Sequence, residues 1–156
     1  VHERPAVLHV FSSGNVGNEA AVDGKYAGLA GVANLTGQFK TSKNTLTVGS
    51  VDALGNIASR SSRGPAHDGR IKPELVAYGD AGSSESAAVV SGAAIALQAH
   101  YRQKYSTTAD AALIKALLVN GADDVDAPHV DYKSGFGNVN LLQSARMIEQ
   151  EKIVSN

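Results

Sequence analysis

Two serines stand at the head of the longest small-residue run in the chain. Residues 82–92 read Gly-Ser-Ser-Glu-Ser-Ala-Ala-Val-Val-Ser-Gly, and residues 93–97 continue the apolar character. Ser and Gly are favoured where a helix begins, so Ser83 and Ser84 are expected in a first helical turn. That turn leaves backbone N–H groups unpaired and carries partial positive charge. A hydroxyl there lies beside an anion-stabilising field. This suits a serine nucleophile, whose attack on a carbonyl creates an oxyanion. Glu85 follows directly and is read as a carboxylate favourable in a first helical turn, not as a functional acid. A second group of interest is Asn15, within Ser12-Ser13-Gly14-Asn15-Val16-Gly17. It follows an apolar run, and ligands of open α/β sheets bind beyond the carboxyl ends of strands. Asn and Gly also supply turn conformations with no chemistry attached.

The elements that must position these groups can be read from pattern. Residues 6–11 are almost continuously apolar, which predicts a strand buried on both faces, as in a parallel sheet. A buried strand so near residue 1 suggests that earlier strands belong to a longer parent. Residues 44–51 alternate β-branched positions and read as a strand; residues 57–62 read as a second, more polar one. Residues 72–79 form a short apolar run closed by a glycine. The helix after Ser84 is apolar nearly all round, which predicts a buried helix of about 18–20 residues. A cap-like pattern at residues 107–110 opens another helix, with a stripe of Leu113, Ile114, Leu117 and Leu118 and a stop at Gly121. A closing amphipathic helix is expected from Leu141 to about Ile153. Loops read as short and glycine-marked, with no repeat and no internal linker, so residues 1–156 form a single unit.

Composition narrows the classes. A 43% hydrophobic content supports a core, and a net charge of -1 argues for neither nucleic acid nor an anionic membrane surface. With no cysteine, disulfides and thiolate metal sites are excluded. The longest apolar stretch, about residues 87–101, contains Ser91, Gln98 and His100, and a bilayer requires ~20 apolar residues. Asp123, Asp124 and Asp126 lack the spacing of a calcium loop and read as turn and surface residues. Arg60, Arg63, Arg70 and Lys72 read as a solvated loop with ion pairs to Asp68 and Glu74. His67 reads as exposed, and His9 as a satisfied core histidine in a strand. No chemistry is assigned to residues 18–43.

Gly82-Ser83-Ser84, followed by Ser91-Gly92-Ala93-Ala94, resembles the Gly-Thr-Ser-x-x-x-Pro nucleophile motif of the subtilisin-like serine proteases, or subtilases (peptidase family S8). Four further stretches resemble the same family: Ser12-Ser13-Gly14-Asn15 after a strand, Val48-Gly49-Ser50-Val51-Asp52 with Ala58-Ser59-Arg60-Ser61-Ser62, Arg63-Gly64-Pro65 through Lys72-Pro73-Glu74, and Gly135-Phe136-Gly137-Asn138-Val139-Asn140. Together they cover about residues 6–146. The resemblance implies a three-layer α/β fold with a mostly parallel sheet, present here as a partial domain lacking its N-terminal strands. It makes Ser84 the nucleophile and Asn15 the oxyanion donor. In this family loss of that donor costs roughly 100–1,000-fold in turnover. It also implies that Ser12, Ser13, Gly14, Val16 and Ser83 contribute to substrate binding, with apolar Val16 favouring an uncharged residue before the cut. Three departures are visible: Ser83 replaces Thr, Ala88 replaces Pro, and the connection from Gly79 to Gly82 is short.

The family order Asp, His, Ser puts the orienting Asp and the base His before residue 1. None of the five histidines (His2, His9, His67, His100, His129) has the family's His-Gly-Thr context. The chain alone is therefore expected to be inactive or nearly so, because an unactivated serine is a poor nucleophile. The implied partners are a peptide or protein substrate and the missing N-terminal half of the same catalytic domain. An unpaired sheet edge makes self-association a hazard. No cofactor and no metal site is expected, and no motif supports a structural calcium. The resemblance also implies a secreted or cell-surface protein. Two other readings stay open: a pseudoprotease that keeps the fold for peptide binding or scaffolding, and a phosphate-binding α/β domain using helix starts as anion sites.

Overall fold

The computed structural model describes residues 4–35, 37, 39–126 and 128–150. Its centre is a parallel sheet of three strands in the order β1-β2-β3, formed by Val10–Ser12, Leu46–Val51 and Leu75–Tyr78. Helix α1 (Ser83–Tyr105) lies across all three strands, and α2 (Ala111–Asn120) and α3 (Leu141–Glu149) pack on α1 and on each other. A short 3-10 turn spans Phe39–Thr41.

Alternation along β2 sorts its side chains. Leu46 and Val48 face the helices and join Leu75, Val90, Leu97 and Ile114 in one buried cluster. The opposite face, with Thr47 and Gly49, is covered by irregular segments. Thr47 donates its hydroxyl to Lys40 O at 2.6 Å. A Cβ on Gly49 would stand 2.6 Å from Ser61 Oγ and 3.2 Å from Pro73 Cγ. All six residues of β2 are buried because strands flank it on both sides.

Several sequence expectations change. The run at residues 6–11 forms a strand only from Val10, and β1 is half-buried. It is the edge of the described sheet, so one side has no neighbour. His9 is exposed, not a core histidine. Residues 57–62 do not form a strand: one bridge joins Val51 to Ile57, then the chain turns. The Ser61 hydroxyl instead accepts the Ser50 N–H at 2.9 Å, and the Ser62 N–H goes to Gly14 O at 3.0 Å. The loops are not all short, since both strand crossovers run through long irregular segments without an α-helix among the described residues.

Helix α1 is longer than expected, at 23 residues, and it is not buried all round. Val90, Ala93, Ala94 and Leu97 face the sheet, whereas Val89 is 45% and Ile95 71% exposed. Its composition suits packing on two sides, and the described residues supply only one. Helix α2 shows its predicted stripe, with Ile114, Leu117 and Leu118 buried and Gly121 as C-cap, but Asp110 is the N-cap and makes no side-chain cap bond. Helix α3 ends at Glu149, short of the expected Ile153, which lies outside the described residues.

Lys72 is the largest departure. Expected in a solvated loop, it is fully buried. Its ammonium meets Glu74 at 2.7 Å, and Glu74 also pairs with Lys115 at 2.8 Å and accepts the Thr47 N–H at 2.7 Å. Burial pushes the Lys72 pKa below its ordinary 10.5, with the Glu74 carboxylate opposing that shift. The Arg70–Asp68 pair forms as expected, at 2.7 Å, and holds the Asp68 carboxyl below its ordinary range.

Candidate active site

The site is built where β1 ends and α1 begins. The Ser13 N–H still pairs with Val48 O at 2.8 Å, and beyond it Gly14 (φ 119) turns the chain away from the sheet. The tight turn at residues 79–82, closed by Gly82 N–H to Gly79 O at 3.2 Å, brings α1 to the same edge. Gly82 caps the helix in an extended left-handed conformation (φ 128, ψ -175) open mainly to glycine.

Residues remote in sequence meet here. Asn15 Oδ1 accepts the Ser83 N–H at 3.0 Å and lies 3.0 Å from Ser83 Oγ. Ser83 Oγ also accepts the Gly14 N–H at 3.0 Å and lies 3.1 Å from Gly14 O. Asn15 and Ser84 are both exposed, while Ser83, Ser13 and Gly14 are buried and Ser12 and Val16 are half-buried. The Ser83 hydroxyl is thus engaged beneath the surface. Its side chain is withdrawn from the substrate contact that the sequence reading gave it. The same burial withdraws the Ser13 side chain. Val16 borders a cavity of about 620 Å³ whose lining also includes Glu19, Asp23, Asn34 and His67, so its surroundings are not uniformly apolar.

Ser84 is the second residue of α1. The first four N–H groups of a helix have no intrahelical acceptor. That of Ser83 goes to Asn15 and that of Glu85 to Gly82 O at 3.1 Å, and the Ser84 N–H has no acceptor among the described residues. Glu85 reaches back to the Ala81 N–H at 2.9 Å, the structural part expected of it.

Sequence reasoning missed the support under Asn15. Asn34 is 4% exposed and donates to Val16 O, Gly17 O and Glu19 O at 2.9, 3.0 and 2.8 Å. It accepts the Arg63 N–H at 2.8 Å. The Ser62 hydroxyl takes the Val16 N–H at 3.2 Å. Gly17 lies so close to Ser61 O that an added Cβ would stand 2.1 Å from it. The loop carrying Asn15 is therefore clamped from two sides. The only sequence signal was an Asn in a stretch without other chemistry.

Among the described residues no three acidic or histidine side chains gather as a metal site. Asp123 takes Asn140 Nδ2 at 2.8 Å and Asp126 pairs with Lys133 at 3.2 Å. His67 is exposed, as expected, and His100 meets Glu149 at 2.8 Å. None of the described histidines hydrogen-bonds Ser84. Among the described residues, no helix is long and apolar enough to cross a membrane.

The family profile described as "Subtilase family" matches residues 2–137. The chain belongs to the subtilase family. "Subtilisin-like protease SBT6.1" of Arabidopsis thaliana is 31% identical, over 68% of this chain and 12% of its own length. "Serine protease/ABC transporter B family protein tagA" of Dictyostelium discoideum is 30% identical, over 52% of this chain and 7% of its own. Among solved structures, the patellamide maturation protease PatA has a TM-score of 0.70 at 19% identity, covering 93% of this chain and 52% of that one. The prenylagaramide maturation protease PagA has 0.66 at 21%, covering 92% and 51%. This subtilase chain thus shares the mixed α/β, parallel-sheet fold of those protease domains and spans about half their length.

Proposed function

We propose that this chain is the nucleophile-bearing C-terminal part of a subtilase catalytic domain that hydrolyses peptide bonds. The observation that carries the reading is the meeting of the Asn15 carboxamide with the first turn of the helix that presents Ser84. Ser84 Oγ attacks the scissile carbonyl carbon, and its proton passes to a histidine supplied by the preceding part of the domain. The carbonyl oxygen becomes an oxyanion facing the Asn15 Nδ2 donors and the Ser84 N–H. Collapse expels the amine, which takes the proton held by that histidine, and leaves an acyl-enzyme, which water then hydrolyses. No step needs a cofactor.

Two features support a preceding half-domain as partner: the free edge of β1, and the apolar face of α1 that leaves Ile95 and Val89 in water. The isolated chain is then expected to be inactive and to self-associate through that edge at high concentration. A secreted or cell-surface setting rests on the family alone.

A fluorophosphonate probe applied to the full-length protein tests the reading. An adduct on the peptide containing Ser84, absent in Ser84→Ala, is the expected result. A folded protein that takes no adduct would instead be a non-catalytic peptide-binding domain, a reading that the Ser83 and Ala88 departures favour.

A further inference from the structure

Arg63 carries a charge that no described residue balances. Its side chain is half-buried and makes no ion pair and no hydrogen bond among the described residues, and its Nε is sealed from water without an acceptor. The backbone on either side is fixed: the Arg63 N–H donates to Asn34 Oδ1 at 2.8 Å and the Gly64 N–H to Tyr132 O at 2.8 Å. A guanidinium stays protonated, and a charge drawn out of water costs free energy unless it is paired. Arg63 lines a cavity of about 230 Å³ with Lys133, Asn56 and Asp126, and with Ile57 and Val125 as apolar walls. The turn at residues 52–56 follows the carboxyl end of β2, the middle strand between the one leading to Asn15 and the one leading to Ser84. Ligands of open α/β sheets bind beyond that end. Ser62, the neighbour of Arg63, accepts the Val16 N–H at 3.2 Å and so touches the loop that carries Asn15.

We infer that this cavity binds the carboxylate side chain of an acidic peptide between Arg63 and Lys133. That the peptide is a substrate rests on the catalytic reading above; the binding itself does not. The charges set the class of ligand. Lys133 Nζ meets Asp126 Oδ2 at 3.2 Å, so Asp126 offsets one of the two cations and about one positive charge is left over. Asn56 Nδ2 is bonded to Asp52 Oδ2 at 3.3 Å, which places a second carboxylate close by. A singly charged carboxylate balances what is left, whereas a phosphate would bring more negative charge towards Asp126 and Asp52. The planar guanidinium fork also matches a carboxylate with two parallel bonds. Ile57 and Val125 suit the methylenes of a glutamate side chain.

The full-length protein is given internally quenched peptides in which a single glutamate is moved along an otherwise neutral sequence, each beside its glutamine match. At a favoured position glutamate should raise kcat/KM about tenfold, the scale of a partly exposed charge-assisted pair. Arg63→Gln should abolish that preference, Lys133→Gln should reduce it, and Asp126→Asn should increase it by removing the opposing charge. Added salt should weaken it. Equal rates for glutamate and glutamine at every position, or a preference that survives Arg63→Gln, overturn the inference. Lys133 and Asp126 are both about half exposed, so their variants keep the test open if Arg63→Gln does not fold. There, a preference that neither variant changes overturns it. In parallel, the Arg63 Nε–H is followed by NMR in arginine-labelled protein as N-acetyl-glutamic acid α-amide is added, with the glutamine analogue and inorganic phosphate as controls. A saturable shift with the glutamate compound and none with the glutamine one is the expected result. No shift, or a tighter response to phosphate, overturns the carboxylate assignment. This readout needs no turnover. Failure of wild type to take fluorophosphonate at Ser84 would therefore sink the catalytic reading and leave the NMR titration to decide the site.

Discussion

Replacing Gly82 by alanine separates the two things that this residue does. Its backbone (φ 128, ψ -175) is a conformation that side-chain-bearing residues avoid, which costs on the order of 1–3 kcal/mol. The new Cβ would stand 2.6 Å from Asn15 Oδ1 and 2.9 Å from both Cγ and Nδ2. Asn15 is exposed and can swing aside, so the clash adds little to the folding cost. The swing removes the carboxamide from Ser83 and, on the proposed catalytic reading, from the oxyanion. Gly82→Ala in the full-length protein should therefore lose stability by about 1–3 kcal/mol in urea titration. It should also lose kcat by roughly 100–1,000-fold, about 2.7–4 kcal/mol of transition-state stabilisation. That second magnitude belongs to the family's asparagine donor. Asn15→Ala should match the kcat loss with a smaller stability loss, about 1 kcal/mol, because it strains no backbone and removes only the acceptor of the Ser83 N–H and hydroxyl. A Gly82→Ala protein that is destabilised yet turns over peptide at the wild-type rate would refute the placement of Asn15 at the oxyanion.

The buried ion cluster makes an asymmetric prediction. Glu74→Gln leaves two lysines without their carboxylate and should cost about 3–5 kcal/mol, whereas Lys72→Met should cost less because Glu74 keeps Lys115 and the Thr47 N–H. The reverse order in denaturant titrations would discard the shared-carboxylate picture. The Lys72 pKa is lowered in the fold, so between that depressed value and 10.5 the unfolded chain binds more protons. Its contribution to stability accordingly rises with pH across that window. Lys72→Met should flatten this slope, and an identical slope in both proteins would assign the dependence to another group. Ile95→Ser should change the stability of the isolated chain by under about 0.5 kcal/mol, because the side chain is 71% exposed. In the full-length protein it should cost about 2–4 kcal/mol, from lost apolar burial and an introduced hydroxyl. Equal melting shifts in the two contexts would mean that nothing covers this face of α1.

Much of the fold was legible because local signals agreed. The β-branched run at residues 44–51 became the central strand. The stripe of Ile114, Leu117 and Leu118 became the buried face of α2, and the small residues after Ser84 became α1. Other positions misled because pattern describes one element at a time. Lys72 reads as a wet loop residue until Glu74 and Lys115 are seen to enclose its ammonium. Residues 57–62 carry a strand-like composition, but their serines bond inward to β2 and to the Gly14 loop instead of extending a ladder.

The sequence by itself determined the family, the helix entrance that presents Ser84 and the asparagine at the end of a strand. Those depend on residues adjacent in the chain, whose spacing is local. Only the tertiary structure decided that Ser83 and Asn15, 68 positions apart, would share hydrogen bonds. It also decided that Asn34 would hold the loop beneath them, and that one apolar side of α1 would face water. Periodicity records which way a side chain leaves its own backbone; what it meets there is set by segments that the fold brings from elsewhere.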